Sequence, residues 1–516
     1  MSDWIQLQPF DQHNADLRDN VHPQDWSNPT PNGPYQLVVI GAGTAGLVTA
    51  AAAAGLGAKV ALVEKELMGG DCLNVGCVPS KSLIKTGRVL ASLREAMNFG
   101  VRLDGGAKLD FPAAMQRMRR LRAQISHVDS AQRFANLGVD VYFGQARFAS
   151  PGSIEILPDR GSVETLWFKK AVIATGARAA APPIAGLEQI DYLTNESVFS
   201  LTELPAELGI IGGGPIGVEL AQVFARFGSR VTLFERSSQI LAREDRDAAS
   251  LIEQQLMDDG VHIECRSDSL QLAAVQNGQV QICGQAQSGP LDVTVDKLLV
   301  AAGRQPNVEG LQLERAGVKH DRKGVQVNNL LQTANRRIYA AGDVASHFQF
   351  THAADFMARI VVQNALFRIG PLGAKKVSRL LIPRATYTAP ELAQVGLTEQ
   401  EAQQAGVPFD RLIQSLAEND RAVLDGDENG FIKVLLKRGS DQILGATVVA
   451  HNGGDLISEL TLAMQNRIGL GRIANTIHPY PTQADAIRRL GDQYNKTRLT
   501  PFAARVLRTL MRINVG

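Results

Sequence analysis

The 516-residue sequence is poor in cysteine, with four in all. So few thiols exclude a disulfide-stapled secreted scaffold and fit a reducing cytoplasm, where a close pair of cysteines points to chemistry. An excess of either charge is also missing. Fifty-three Lys and Arg stand against 52 Asp and Glu, a formal net charge of +1, which excludes the basic footprint of a nucleic-acid-binding protein. The first twenty residues lack the basic-then-apolar pattern of a secretory signal. No apolar run is long and unbroken enough to span a bilayer. The longest low-charge stretch, residues 37–58, is interrupted by glycines and threonines and reads as a buried strand followed by a helix. Hydrophobic residues make up 45% and charged residues 20%, an ordinary globular balance with core enough for about three domains.

Glycine, by contrast, is plentiful, and it clusters beside apolar strands. Two segments repeat one pattern. In the first, QLVVI (36–40) is followed by GAGTAG (41–46), an Ala-rich helical run and KVALVE (59–64). In the second, ELGII (207–211) is followed by GGGPIG (212–217), a helical run and RVTLFE (230–235). Glu64 and Glu235 each lie 23 residues after the first glycine of their unit. A strand, a glycine-rich turn, a helix and a second strand ending in an acid form a dinucleotide-binding unit. The first glycine (Gly41, Gly212) permits the tight turn, and the second (Gly43, Gly214) lets backbone approach a pyrophosphate. The third (Gly46, Gly217) packs helix on strand, and the acid meets a ribose hydroxyl. Three further strands end in glycine: WFKKAVIATGA (167–177), with Thr175 and Gly176; LLVAAGRQPN (298–307), with Gly303; and RIYAAGDVA (337–345), with Gly342 and Asp343. In a two-nucleotide protein their C-terminal ends face the cofactors. Beyond about residue 383 the pattern changes to short alternating strands such as FIKVLLK (431–437) and ILGATVV (443–449), an α+β domain.

The stretch GGDCLNVGCVPSK (69–81) places Cys72 and Cys77 five residues apart, with Pro79 and Ser80 suggesting a helix start. A helix N-terminus lowers the pKa of a neighbouring thiol, so Cys77 is suited to rest as a thiolate. Cys265 and Cys283 sit in strand or turn surroundings and read as structural.

On GAGTAG, GGDCLNVGCVPSK, ATG, GGGPIGVE, GRQPN and AAGDV the chain resembles the class I pyridine nucleotide–disulfide oxidoreductases over about residues 35–490. Within that family the core is similar to mercuric reductases and to dihydrolipoamide dehydrogenases. The resemblance implies an α/β fold with two Rossmann-like domains, for FAD and NAD(P), and an α+β C-terminal dimerisation domain. The implied organisation is an extended N-terminal arm (1–34), an FAD domain (35–186 and 303–382), an NAD(P) domain (187–302) and a homodimer-forming domain with a C-terminal tail (383–516). It also implies that Cys77 faces the flavin and that Cys72 is the interchange thiol. Lys81 and Glu219 match an ion pair beside the flavin's reactive edge. Asp343 holds the ribityl and pyrophosphate region, and Thr351 and His352 open a helix aimed at the pyrimidine end.

Disulfide reductases of the family carry His-Pro followed by Glu near the C-terminus, and the His shuttles a thiol proton across the dimer. Here, in IHPYPTQAD (477–485), Tyr480 takes the His position and Asp485 the Glu position. Mercuric reductases resemble this chain in that tyrosine, but their C-terminal cysteine pair is missing: no cysteine follows Cys283. A phenol with pKa about 10 is a poor base near pH 7, whereas imidazole at about 6.5 is well placed. His478, two residues away, is the alternative base.

Glu235 and Gly217 favour NADH. Arg236 and Arg243 lie where NADPH-using relatives bind the 2′-phosphate, so the balance tips only slightly to NADH. Three functions stay open: reduction of a soft metal ion such as Hg(II), held transiently by Cys72 and Cys77, or of another small electrophile; reduction of a disulfide; and a flavoprotein adaptor docked through its tail. The tail, PFAARVLRTLMRI (501–513), is basic and amphipathic. It reads as a helix packed on its own protein rather than a membrane anchor.

Overall fold

The computed structural model describes residues 7–102, 105–158 and 162–515. Residues 1–6 of the expected arm lie outside the described residues. The chain divides into two compact units. The first gathers residues up to Gly212, Val223–Phe234 and Asp268–Leu380; the second gathers Gly213–Gln222, Glu235–Ser267 and the residues from Leu381 on.

In the first unit the β-branched run Tyr35–Ile40 is the centre of a parallel sheet. It pairs with Val60–Glu64 on one side and Glu164–Ile173 on the other, and Val139–Phe143 and Ile338–Ala340 extend the two flanks in parallel. Strands buried on both faces read as near-continuous apolar runs, and Val38, Ile40, Ala61, Val63, Ala171 and Ile173 are all core residues. The same unit holds the parallel strands Arg230–Glu235, Glu207–Ile211 and Lys297–Val300 of the second repeat, as far as Phe234.

The two repeats match in geometry as well as in spacing. Gly41 N–H donates to Val63 O and Gly212 N–H to Phe234 O, both at 2.8 Å. Both glycines have positive φ, 99° and 112°. A Cβ on Gly41 would lie 2.5 Å from Ala174 O, and one on Gly212 would lie 2.5 Å from Ala301 O. Only glycine fits a turn that is left-handed and pressed against the neighbouring strand end.

In the second unit an antiparallel sheet runs in the order Arg384–Thr386, Glu391–Gly396, Ile443–Ala450, Phe431–Lys437, Phe409–Ser415. Helices Gly453–Gln465 and Asp485–Thr497 bury Ile457, Leu460, Ile487 and Leu490 in the core beside that sheet's side chains. This is the expected α+β domain.

Three expectations change. The arm is not simply extended: Gln12–Val21 is a helix, capped by Asp11, and it buries Leu17 and Val21 completely. The helix after the cysteine loop starts at Cys77, ahead of Pro79, because a proline in the first turn gives up an N–H that would have no helical partner. The tail forms the expected helix, Pro501–Val515, but none of its residues is buried. Among the described residues nothing buries its apolar face, so it is not packed into its own chain. Among the described residues, no helix is long and apolar enough to cross a membrane.

Gly46 gives the sharpest test of the first turn. A Cβ there would sit 1.8 Å from Gly41 O, while one on Gly55 of the same helix meets nothing within 4 Å. Gly46→Ala should destabilise the protein by at least about 1–3 kcal/mol, and Gly55→Ala should be neutral or stabilising. Thermal unfolding of both variants checks this; equal midpoints would contradict the close approach.

Candidate functional site

The first glycine-rich turn opens into the helix Thr44–Gly55, whose N-cap is Gly43 and which has no side-chain cap. Its first N–H groups are therefore left for a ligand, and an uncapped helix N-terminus is an anion site when the loop before it is built for close approach. The loop is so built: Gly43 and Gly70 backbones pass so close that a Cβ on Gly70 would lie 2.7 Å from Gly43 Cα. Glu64, buried at the end of its strand, accepts Ala42 N–H at 2.7 Å and Glu66 N–H at 2.8 Å. Burial pushes its carboxyl upward and these donors oppose the rise. Glu235 repeats the arrangement, accepting Gly213 N–H at 2.7 Å and Ser237 N–H at 2.6 Å. Each acid thus ties the glycine loop to the strand end and keeps lone pairs for ribose hydroxyls. The glycine-lined turns, the first of them opening into an uncapped helix, fit the pyrophosphate and ribose of a dinucleotide.

Further strand ends of the first unit lie beside this turn, where a Cβ on Gly41 would meet the backbone of Ala174 and Thr175. Thr175 Oγ1 donates to Asn307 O at 2.7 Å and Asn307 Nδ2 returns a bond to Thr175 O at 2.9 Å. Gly176, Gly303 and Gly342 all have positive φ. Arg304, which the sequence reading passed over inside GRQPN, is central: it bonds Asp71 and lies 3.5 Å from Asp343. Burial still pushes the Asp343 carboxyl up to about 6, against the pull of Arg304.

Cys77 is the first residue of its helix, which has Gly76 as N-cap and no side-chain cap. Its Sγ lies 3.4 Å from Thr351 Oγ1, at the start of the uncapped helix Thr351–Val362. His352 stacks on Phe350 with ring centroids 5.4 Å apart. Neither cysteine is in a disulfide; Cys72 is half-buried and Cys77 exposed. Hydrogen bonding to Cys77 and burial both push the Cys72 thiol well up, so Cys72 holds its proton while Cys77 sits at the helix end that favours a thiolate. Lys81 is half-buried one turn on from Cys77.

The arm braces this loop from behind. Arg122, buried in the helix Phe111–Ser126, donates to Asn74 O and to Asn14 Oδ1 of the arm, both at 2.6 Å. Asp11 of the arm pairs with Arg119 at 2.6 Å, and Met68 N–H donates to Val21 O at 3.1 Å. Burial pushes the Arg122 guanidinium down to about 10. Asn14 and Arg122 carry no motif, so sequence spacing gave no signal for them.

In the second unit, buried Glu219 accepts Tyr387 N–H at 2.8 Å. The segment after Glu235 is anchored by two cations that the sequence reading missed. Arg384 Nε bonds both Glu244 oxygens at 2.9 Å and its Nη2 reaches Arg243 O at 3.3 Å, while Lys433 bonds Asp245 at 2.8 Å. Arg236 and Arg243 themselves are exposed, and Gly217 is buried in the helix Pro215–Phe227.

Near the C-terminus, Tyr480 is 74% exposed and its hydroxyl donates to Asp420 Oδ2 at 3.0 Å. That hydrogen bond and the charge of Asp420 raise the phenol further from neutrality. Asp485 does not orient Tyr480, as a Glu at its position would orient a His. Burial works against its ionisation, but Arg488 at 2.7 Å and Arg489 at 2.8 Å take up both its oxygens and hold the carboxyl below its usual range. His478 faces Thr476 O at 3.0 Å with Nδ1 and Glu459 Oε1 at 2.9 Å with Nε2. Both ring nitrogens are thus turned to oxygen atoms of the second unit. Among the described residues, no group of three or more His, Cys, Asp or Glu is placed to hold a metal ion.

Comparison with known proteins agrees with this site. Residues 35–358 match the family "pyridine nucleotide-disulphide oxidoreductase", and residues 382–490 match that family's dimerisation domain. The chain is 36% identical over 459 residues to a mercuric reductase of Streptomyces lividans, covering 88% of this chain and 95% of that protein. It is 33% identical over 473 residues to a dihydrolipoyl dehydrogenase of Bacillus subtilis, covering 88% and 96%. Among solved structures, the Cu(II) complex of the HOCl-induced flavoprotein disulfide reductase RclA from Escherichia coli superposes with a TM-score of 0.79 at 30% identity, covering 90% of this chain and 100% of that one.

Asn14→Ala should leave the buried Arg122 one partner short and cost about 1–3 kcal/mol of stability. Denaturant unfolding measures it, and an unchanged midpoint would mean that the arm does not brace the cysteine loop.

Proposed function

The chain belongs to the pyridine nucleotide–disulphide oxidoreductase family, and from that premise we propose that it carries electrons from NAD(P)H to a soft metal ion such as Hg(II), or another thiophilic electrophile, through Cys72 and Cys77. FAD, when bound, supplies the two-electron relay between the nicotinamide and the cysteine pair. The N-terminus of the Thr44–Gly55 helix would hold its pyrophosphate, Glu64 a ribose, and Asp343 with Arg304 the region between pyrophosphate and ring. Lys81, one turn on from Cys77, is assigned to the reactive edge of the flavin.

The observation that carries the choice of acceptor is the blocked proton-transfer position. Thiol–disulfide exchange needs an attacking thiolate and a proton for the departing sulfur. Tyr480, donating to Asp420 and raised in pKa by it, keeps its proton near neutral pH. His478 has both nitrogens turned to oxygen acceptors. A soft metal ion binds two thiolates directly and leaves no sulfur to be protonated. The likeness to mercuric reductases, and to a reductase whose structure is a Cu(II) complex, supports this reading. For the coenzyme we favour NADH. Glu235 is fixed at the strand end by two N–H donors, and its negative charge disfavours a 2′-phosphate.

Steady-state NAD(P)H oxidation with Hg(II), lipoamide and glutathione disulfide tests the acceptor. Wild type should turn over Hg(II) and reduce both disulfides poorly. Tyr480→His should raise disulfide turnover toward the factor of about 10²–10⁴ that a general base contributes, with flavin reduction by NAD(P)H unchanged. Rapid wild-type lipoamide turnover that survives His478→Ala would overturn the reading.

Glu235→Ala should raise the NADPH-to-NADH ratio of kcat/KM by roughly five- to 150-fold, the equivalent of a contact worth about 1–3 kcal/mol. An unchanged ratio would place Glu235 away from the ribose.

A further inference from the structure

The Pro501–Val515 helix has three properties that the catalytic reading leaves unused. Its apolar side chains are bare: Phe502 is 76%, Leu507 53%, Leu510 49% and Ile513 73% exposed. Its charged residues are all arginines. Arg505, Arg508 and Arg512 fall within an arc of about 60° at 3.6 residues per turn, opposite Val506 and Leu510. Finally, from Gln493 to the end the chain carries Lys496, Arg498 and these three arginines, with no acidic residue.

A free helix of this length is marginal in water, because its nucleation cost is recovered only by covering its apolar face. Something outside this chain must therefore cover it. A second copy is a poor fit. The match to the dimerisation domain ends at residue 490, before the helix begins. A surface that is apolar beneath and negative above matches both faces at once. We propose that this helix docks the enzyme in-plane on an anionic lipid bilayer. Phe502, Val506, Leu507, Leu510 and Ile513 enter the acyl boundary, and Arg505, Arg508 and Arg512 meet headgroup phosphates.

The test is co-sedimentation of the full-length flavoprotein with phosphatidylcholine vesicles, with and without phosphatidylglycerol. Three variants accompany it: a chain ending at Leu499, Leu507→Glu/Leu510→Glu, and Arg505→Gln/Arg508→Gln/Arg512→Gln. NAD(P)H oxidation and sedimentation mass are recorded for each. The expected result is binding to anionic vesicles on the order of 100-fold stronger than to neutral ones at low salt, weakened by added salt and lost in all three variants, with activity and dimer mass unchanged. The proposal is overturned if the full chain ignores anionic vesicles, or if the chain ending at Leu499 still binds them. It is equally overturned if the truncation or the Leu→Glu pair converts the dimer to monomer, which would make a second copy the occupant.

Discussion

The structure depends most on two places where backbone touches backbone. At Gly41 and at Gly212 the chain turns left-handed against the end of a neighbouring strand, with no room for a Cβ. That contact brings the following residue within reach of a strand-terminal glutamate. Glu64 takes the N–H of Ala42, and Glu235 takes the N–H of Gly213. With the first loop tied down at its second residue, the Thr44–Gly55 helix begins without a side-chain cap, and its N–H groups and dipole are left for phosphate. Fold and cofactor chemistry are thus one constraint: the glycines that allow the turn are the glycines that keep the helix end open.

The redox loop is held by the same logic applied to a less regular piece of chain. Gly76 and Cys77 start a helix with no cap, so the thiol itself occupies the position that favours negative charge. Cys72, hydrogen-bonded to Cys77 and half-buried, is pushed the other way. The pair is therefore unequal before any cofactor is considered. What keeps the loop in place is a buried guanidinium. Arg122 holds Asn74 O from one side and the arm's Asn14 from the other, and these two bonds offset part of the cost of burying its charge. The arm is in this sense part of the site, although it touches neither sulfur.

At the C-terminal end the chemistry is decided by which acceptor each donor finds. Tyr480 finds Asp420, Asp485 finds Arg488 and Arg489, and His478 finds Glu459 and a backbone oxygen. Each pairing is ordinary alone. Together they tie Tyr480, Asp485 and His478 to acceptors and cations of the second unit, the arrangement on which the proposed metal acceptor rests.

Much of this was legible in the sequence, because its strongest signals are local. A glycine followed 23 residues later by a glutamate fixes a turn, a helix length and a strand end together, so both nucleotide units could be read without coordinates. Two cysteines five apart before Val-Pro-Ser gave the redox pair in the same way. Other features depend on residues distant in sequence. Arg304 meets Asp71 across 233 residues, Arg122 meets Asn14 across 108, and Tyr480 meets Asp420 across 60. No periodicity encodes such pairings, and only the packed chain chooses among the acceptors available. The tail shows the same division. Its composition determined an amphipathic basic helix, since spacing alone puts arginines on one face. Whether that face is covered depends on what lies beside it, and only the tertiary structure decided that none of the described residues buries it.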